Sequence, residues 1–281
     1  MRTFVSAVLV ALMALLVPLS AVAYWADREL GDVDRYTAAM SPLARDPAVQ
    51  DVVVTQATRA ISGQIDAGPF QGGVESLLTD ALHSFTGTPA YRAAWDAANR
   101  AAHDAFLKAL TTGEGNAVTL DLAPVVQQIK GRLVADGVPF ADRIPVMHTQ
   151  IEVVEYDNLG AFRRVFRMLQ IAGIWLPVLT LLLAAGAVAV AVHRRRAVLA
   201  TGLGLAVGAV LLWTAVLVCR HMVLRDLPAG VDRPAAEAVY DALTAFLRTT
   251  AWVVLAAGLA VALAAWLTGR LRRTRGRPGT P

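Results

Sequence analysis

The chain has 281 residues, of which 56% are hydrophobic and only 17% are charged, and its mean hydropathy is +0.50. Soluble domains carry about 25% charged residues, so this balance excludes an ordinary cytosolic enzyme and points to membrane spans. The 26 Lys+Arg against 22 Asp+Glu give a net charge of +4, which invites a nucleic-acid reading until the charges are placed along the chain.

Four runs lack any charged side chain: residues 4–23, 169–192, 197–219 and 251–269. Each is long enough to cross about 30 Å of hydrocarbon at about 1.5 Å per residue. They are continuous rather than alternating, which excludes a β-barrel. In the first run, Arg2 and Ala21-Val22-Ala23 have the form of a signal peptide. The run is longer than an h-region of about 7–15 residues, and Tyr24 and Trp25 fit an aromatic belt. A retained signal-anchor over residues 1–24 is expected, with cleavage after Ala23 as the alternative.

Residues 25–167 are expected to form one domain. The first helix is expected to continue from Tyr24 to Met40 and to break at Ser41-Pro42. Asp46 and Pro47 form an N-cap and N1 pair. The helix they open should reach about Ile65 and bury Val49, Val52, Val53, Ala60, Ile61 and Ile65. A loop with Pro69, Gly72 and Gly73 precedes a short helix at about 74–84. Thr88-Pro89 opens the longest soluble helix, about 89–111. The alternation Val118, Leu120, Leu122 predicts a strand, as does the stretch 149–156. Between them a helix is expected from Pro124 to Gly137. From Asn158 a helix is expected to run into the second span.

The link between spans two and three is His193-Arg194-Arg195-Arg196, and the tail after span four carries Arg270, Arg272, Arg273, Arg275 and Arg277. Neither contains an acid. With Arg2, these nine arginines place both termini in the cytoplasm by the positive-inside rule. Residues 25–167, with 13 basic and 18 acidic residues, then lie outside, as does the loop 220–250 with four of each. In that loop Asp232 should cap a helix whose Val239, Leu243, Phe246 and Leu247 form an apolar stripe, suited to packing on the larger domain. The basic pI is therefore topological, and no nucleic-acid partner is expected. The fold class is mainly α: a four-helix transmembrane region, a mostly helical extracytoplasmic domain with a minor two-strand element, and a basic tail over 270–281.

Candidate chemistry is sparse. On the helix 89–111, Tyr91, Trp95, Asn99, His103 and Leu107 recur every four residues and share a face, with Arg100 beside them. Trp95, Asn99, Arg100 and His103 are therefore the candidate binding residues. Against this stands a core made of Trp95, Ala98, Ala102 and Phe106, with Asn99 and His103 hydrogen-bonded at its border. His83, His103 and His148 lack metal-ligand spacing, so no metal or other cofactor is expected. No nucleophile elbow or P-loop is present, and Cys219, the single cysteine, permits no intramolecular disulfide. No catalytic residue is assigned. None of the four runs contains Asp, Glu, Lys, Arg or His, the residues that proton relays and ion paths use. Gly204 and Gly208, with Gly258 and Ala262, mark close helix packing, within the chain or in a homo-oligomer.

Pro42-Leu43-Ala44 with Asp46-Pro47-Ala48-Val49-Gln50, Trp95-x-x-x-Asn99-Arg100-x-Ala102-His103, Leu120-Asp121-Leu122-x-Pro124-Val125-Val126, Trp175-Leu176-Pro177 and the basic link resemble uncharacterised four-span integral membrane proteins of actinobacteria. The resemblance covers most of the chain. It implies a cell-membrane location and the four-span plan, and it implies no activity. The expected function is a non-enzymatic membrane protein whose external domain binds or senses a membrane or cell-wall partner. The alternatives are an accessory subunit of a transporter or envelope-synthesis complex, and an extracytoplasmic enzyme using His103.

Overall fold

The computed structural model describes residues 2–64, 67–111, 117–121, 150–155, 159–191, 194–228 and 230–275, with residues 127, 130, 131, 134 and 135. Most of the helix expected from Pro124 to Gly137 lies outside them, as do Leu122, His148, Asn158 and the tail beyond 275. The elements are α1 (Arg2–Arg28), α2 (Val33–Met40), a 3-10 helix (Ser41–Arg45), α3 (Pro47–Ser62), α4 (Gln71–Thr86), α5 (Pro89–Thr111), β1 (Ala117–Asp121), β2 (Gln150–Glu155), α6 (Leu159–Val190), α7 (Arg194–Arg225) and α8 (Arg233–Arg275). They divide into two units. One comprises Met1–Arg28, Phe166–Val223 and Thr244–Pro281, and the other Glu29–Val165 and Leu224–Leu243.

In the first unit, four helices are long and apolar enough to cross a membrane: Phe4–Arg28, Met168–Val190, Arg195–Arg225 and Arg233–Thr268. All but the second run past their uncharged cores into flanking polar sequence. Close contacts fix their directions. The Ser6 hydroxyl donates to the Ala187 carbonyl at 3.1 Å. At the other end of α1, a Cβ on Gly173 would stand 2.6 Å from the Asp27 Cβ and 3.0 Å from the Ala23 carbonyl. Hence α6 runs antiparallel to α1. Gly204 meets Val10 and Met13, while Gly208 meets Ala14 and Val17, so α7 runs parallel to α1. Gly202 faces Gly258 and Ala262, so α8 is antiparallel to α7. The Arg195 guanidinium donates to the Ala265 and Trp266 carbonyls at 2.8 and 3.1 Å. The starts of α1 and α7 and the ends of α6 and α8 thus share one end of the bundle.

The second unit is built on caps. The helix expected over 24–40 is interrupted instead. α1 stops at Arg28, and Asp32 starts a new helix by accepting from the Asp34 and Arg35 amides at 2.9 and 3.1 Å. An aspartate after Gly31 offers the backbone a cap, and that local bond wins over continued helix. Ser41-Pro42 tightens into the 3-10 helix. Asp46 then caps α3, accepting from Ala48 and Val49 at 3.0 and 3.3 Å. α3 ends at Ser62 and buries Val49, Val54 and Ser62; Ala60 and Ile61 are exposed, and Ile65 lies outside the described residues. Three consecutive valines at 52–54 make the phase ambiguous from sequence, and packing against α4 selects it: the Thr58 and Thr79 hydroxyls meet at 3.4 Å. α4 begins at Gln71, earlier than expected, because its side chain clamps the preceding turn. The Gln71 Oε1 accepts from the Ala67 amide at 3.1 Å and its Nε2 donates to the Ser62 carbonyl at 3.2 Å.

β1 and β2 pair antiparallel, with Ala117 opposite Glu155, Asp121 opposite Gln150 and a register shift between Val118 and Thr119. The core cluster is Met40, Leu43 and Val49, flanked by Tyr36 and Trp95 and by Ala238, Val239, Ala242 and Leu243 from the first turns of α8. Burying such side chains stabilises by about 1.5–3 kcal/mol each. The stripe on α8 is therefore shared: Val239 and Leu243 serve this core, whereas Phe246 stacks on Tyr24 with ring centroids 5.9 Å apart in the other unit.

Candidate functional site

The candidate residues all come from α5, which Thr88 opens by accepting from the Tyr91 amide at 3.2 Å. Helical spacing brings Tyr91, Trp95, Asn99 and His103 onto one face, and that face turns inward: Tyr91 and His103 are buried, whereas Ala102 and Phe106 are exposed. The expected core of Trp95, Ala98, Ala102 and Phe106 is thus rotated around the helix. The reason is α2, whose Tyr36 supplies the partner for the histidine.

Each candidate has a partner within the domain. The Trp95 Nε1 donates to the Met40 carbonyl at 2.9 Å and so closes the C-terminal end of α2. The Asn99 Nδ2 donates to the Trp95 carbonyl one turn back, also at 2.9 Å. Arg100 pairs with Asp34 at 2.6 Å on the surface, where such a pair adds little stability. His103 stacks flat on Tyr36, with centroids 4.0 Å apart and planes 8° apart. Burial pushes the His103 pKa down. A hydrogen bond with the Leu30 backbone and the charges of Asp104 and Asp32 pull it partly back up. Burial also raises the phenols of Tyr36 and Tyr91.

The arrangement keeps His103 neutral at neutral pH, with one ring nitrogen turned inward. Its Nε2 is buried and has no partner among the described residues, and the same holds for the Tyr91 hydroxyl and the Asp96 Oδ1. Tyr36 is the participant that sequence reasoning missed. It lies 67 positions from His103, and no spacing rule links residues on separate helices. Among the described residues no three His, Cys, Asp or Glu side chains gather as metal ligands; His83 instead approaches Asp51 at 3.8 Å.

The packing candidates make these contacts along the chain. Gly204 and Gly208 receive α1, and Gly258 and Ala262 receive Gly202 of α7. Of the basic positions, Arg194, Arg195, Arg196, Arg270, Arg272 and Arg273 lie on α7 and α8 at the shared end of the bundle. Arg270 lies over the Trp266 ring at 4.5 Å. The fold and these positions define a helical membrane protein with an appended helical unit. No protein family, curated protein or solved structure matches the chain.

Proposed function

We propose that the protein is a multi-pass cell-membrane protein whose unit built on α2 to α5 stands outside the cytoplasm and binds or senses an envelope partner without catalysing a reaction. The observation that carries this reading is exposed apolar surface at and before α4. Leu77 is 73% exposed with the exposed Ala81 one turn further on, and Phe70, in the 3-10 turn that leads into α4, is 78% exposed. Exposed large apolar side chains that lie together mark interaction surfaces. The groups suited to chemistry are meanwhile engaged in the fold, with Trp95 closing α2 and His103 stacked on Tyr36.

The orientation rests on the basic end of the bundle, which the positive-inside rule assigns to the cytoplasm. Retention of α1 fits the same reading, since α1 fills the surface that Gly204 and Gly208 leave. A photo-crosslinking residue in place of Leu77, activated in living cells, tests the function. A discrete adduct with an envelope component is expected, and a Phe70→Glu change should diminish it. Leu77 is exposed, so the substitution itself should leave the fold intact. The absence of any adduct, or a hydrolase activity abolished by a single substitution in this unit, would overturn the reading.

A further inference from the structure

Two contacts fasten the ends of α2 to α5, and they answer differently to acid. α2 is eight residues long, too short to persist on its own hydrogen bonds, so it depends on such fastenings. At its C-terminal end the Trp95 Nε1 donates to the Met40 carbonyl at 2.9 Å, and Met40 joins Leu43 and Val49 in the core. Nothing in that contact titrates. In the first half of α2, His103 lies flat on Tyr36 with ring centroids 4.0 Å apart, and it bonds to the backbone of Leu30 in the link between α1 and α2. One imidazole therefore holds both the link and the start of the helix.

That fit requires a neutral ring. His103 is 5% exposed, and its Nε2 is buried with no partner among the described residues. A proton added there creates a buried charge and a donor with nothing to receive it, which is costly. The charges that act on the ring are Asp104 on α5 and Asp32 at the cap of α2; both attract the protonated form, and desolvation outweighs them. Asp32 already accepts from the Asp34 and Arg35 amides. Arg35 pairs with Glu29 at 3.6 Å and Arg100 with Asp34 at 2.6 Å. Further along α5, Lys108 is engaged within the protein, and two turns back Asp96 keeps a buried Oδ1 without a partner among the described residues. On α8, whose first turns flank the same core, Glu237 pairs with Arg233 at 3.2 Å, and Tyr240 and Asp241 are likewise engaged. β1, which packs on α5, carries Asp121 at its last position. Burial raises the Tyr36 phenol, so Tyr36 keeps its proton throughout the acid range.

We propose that the link Glu29–Asp32 and the first half of α2 form an acid-released hinge, in which protonation of His103 expels its ring from the stack on Tyr36 and the segment swings on Met40, held in place by Trp95. The step takes one proton from solvent onto Nε2 and breaks no covalent bond. The released ring binds a proton more readily than the packed one, so release is favoured as pH falls below 6.5, the ordinary value, and is suppressed above it. The hinge does not depend on the partner-binding reading or on the orientation. With the unit outside, as proposed above, it responds to the pH of the surroundings.

Hydrogen exchange of the full chain in nanodiscs, read by mass spectrometry at about pH 7.5 and about pH 5.5, tests this, with labelling times scaled for the slower chemical exchange in acid. At the lower pH, peptides covering residues 30–36 should lose protection by up to about tenfold, the most that one group can give a unit below its ordinary value. Peptides from 37–45 and from α3 should keep theirs. His103→Phe, which retains a planar ring without the titration, should hold 30–36 protected at both pH values, and His83→Gln on α4 should leave the acid response in place. Unchanged protection at 30–36 in the wild type would overturn the hinge. So would an equal loss across 37–45 and α3, which would make His103 a contributor to global stability only, or the same loss in His103→Phe. The wild-type pattern is decisive even if a variant fails to fold.

Discussion

His103 is packed into the fold of its unit. The ring is buried, stacked on Tyr36 of α2 and bonded to the backbone of Leu30. The charged groups nearest in effect are Asp104 on its own helix and Asp32 at the cap of α2, and their attraction does not overcome desolvation. The folded pKa thus lies below the ordinary value of 6.5, and the unfolded chain binds a proton more readily than the folded one. Stability then rises with pH across that interval. It should be complete above the unfolded value and should decline as pH falls through 6.5 toward the folded value. Urea denaturation of the unit's tertiary signal at about pH 7.5 and about pH 5.5 reads this directly. The midpoint should drop at the lower pH, and in His103→Phe, which keeps a planar ring and removes the titration, the drop should shrink. An equal drop in the variant would show that His103 is not its source. The spacing Tyr91, Trp95, Asn99, His103 made the shared face legible in the sequence. Its direction was not legible, because Tyr36 approaches from a helix whose start depends on the Asp32 cap.

At the scale of elements, local chemistry was readable wherever one residue decides the outcome. Asp46 with Pro47 and Thr88 with Pro89 set helix starts through caps and a fixed φ. Bilayer length likewise makes the apolar runs unmistakable. What the sequence left open was phase and partner. The valines at 52–54 allow more than one buried face on α3, and the pattern Gly204-x-x-x-Gly208 does not say which helix it receives. Gly202 went unnoticed, although it meets Gly258 and Ala262 at the crossing of α7 and α8. A Cβ there would lie 2.7 Å from the Gly258 carbonyl oxygen and 2.8 Å from the Ala262 amide. Backbone at that distance cannot swing aside as a side chain would. Gly202→Val should therefore destabilise the bundle by about 1–3 kcal/mol through overpacking, seen as a lower Tm in detergent. Gly186→Ala on α6 is the control, since its Cβ would meet nothing within 4 Å. Its Tm should be unchanged or higher, because alanine is the better helix former. Equal losses at both positions would mean that the Gly202 crossing does not hold the bundle together.

For the whole molecule, the charge of +4 averages two dissimilar regions. The helix ends gathered at one pole of the bundle carry Arg2, Arg194, Arg195, Arg196, Arg270, Arg272, Arg273 and Arg275 without one acid, whereas residues 25–167 hold 18 acids against 13 bases. The contacts that run α1 parallel to α7 and antiparallel to α6 and α8 are what bring those arginines to a common pole. A bilayer that retains basic segments on its cytoplasmic side then has one favoured way to hold the chain. Cysteine labelling checks it. The single native thiol, Cys219, is first removed as Cys219→Ala. Leu77→Cys on α4 and Leu271→Cys near the end of α8 are then compared with a membrane-impermeant maleimide. The first should react in intact cells, since Leu77 is exposed and the proposed orientation puts its unit outside. The second should react only after permeabilisation. The reverse pattern would place the arginine pole outside, against the positive-inside rule, and the exposed apolar surface at α4 would then face the cytoplasm, where a cell-wall component could not reach it.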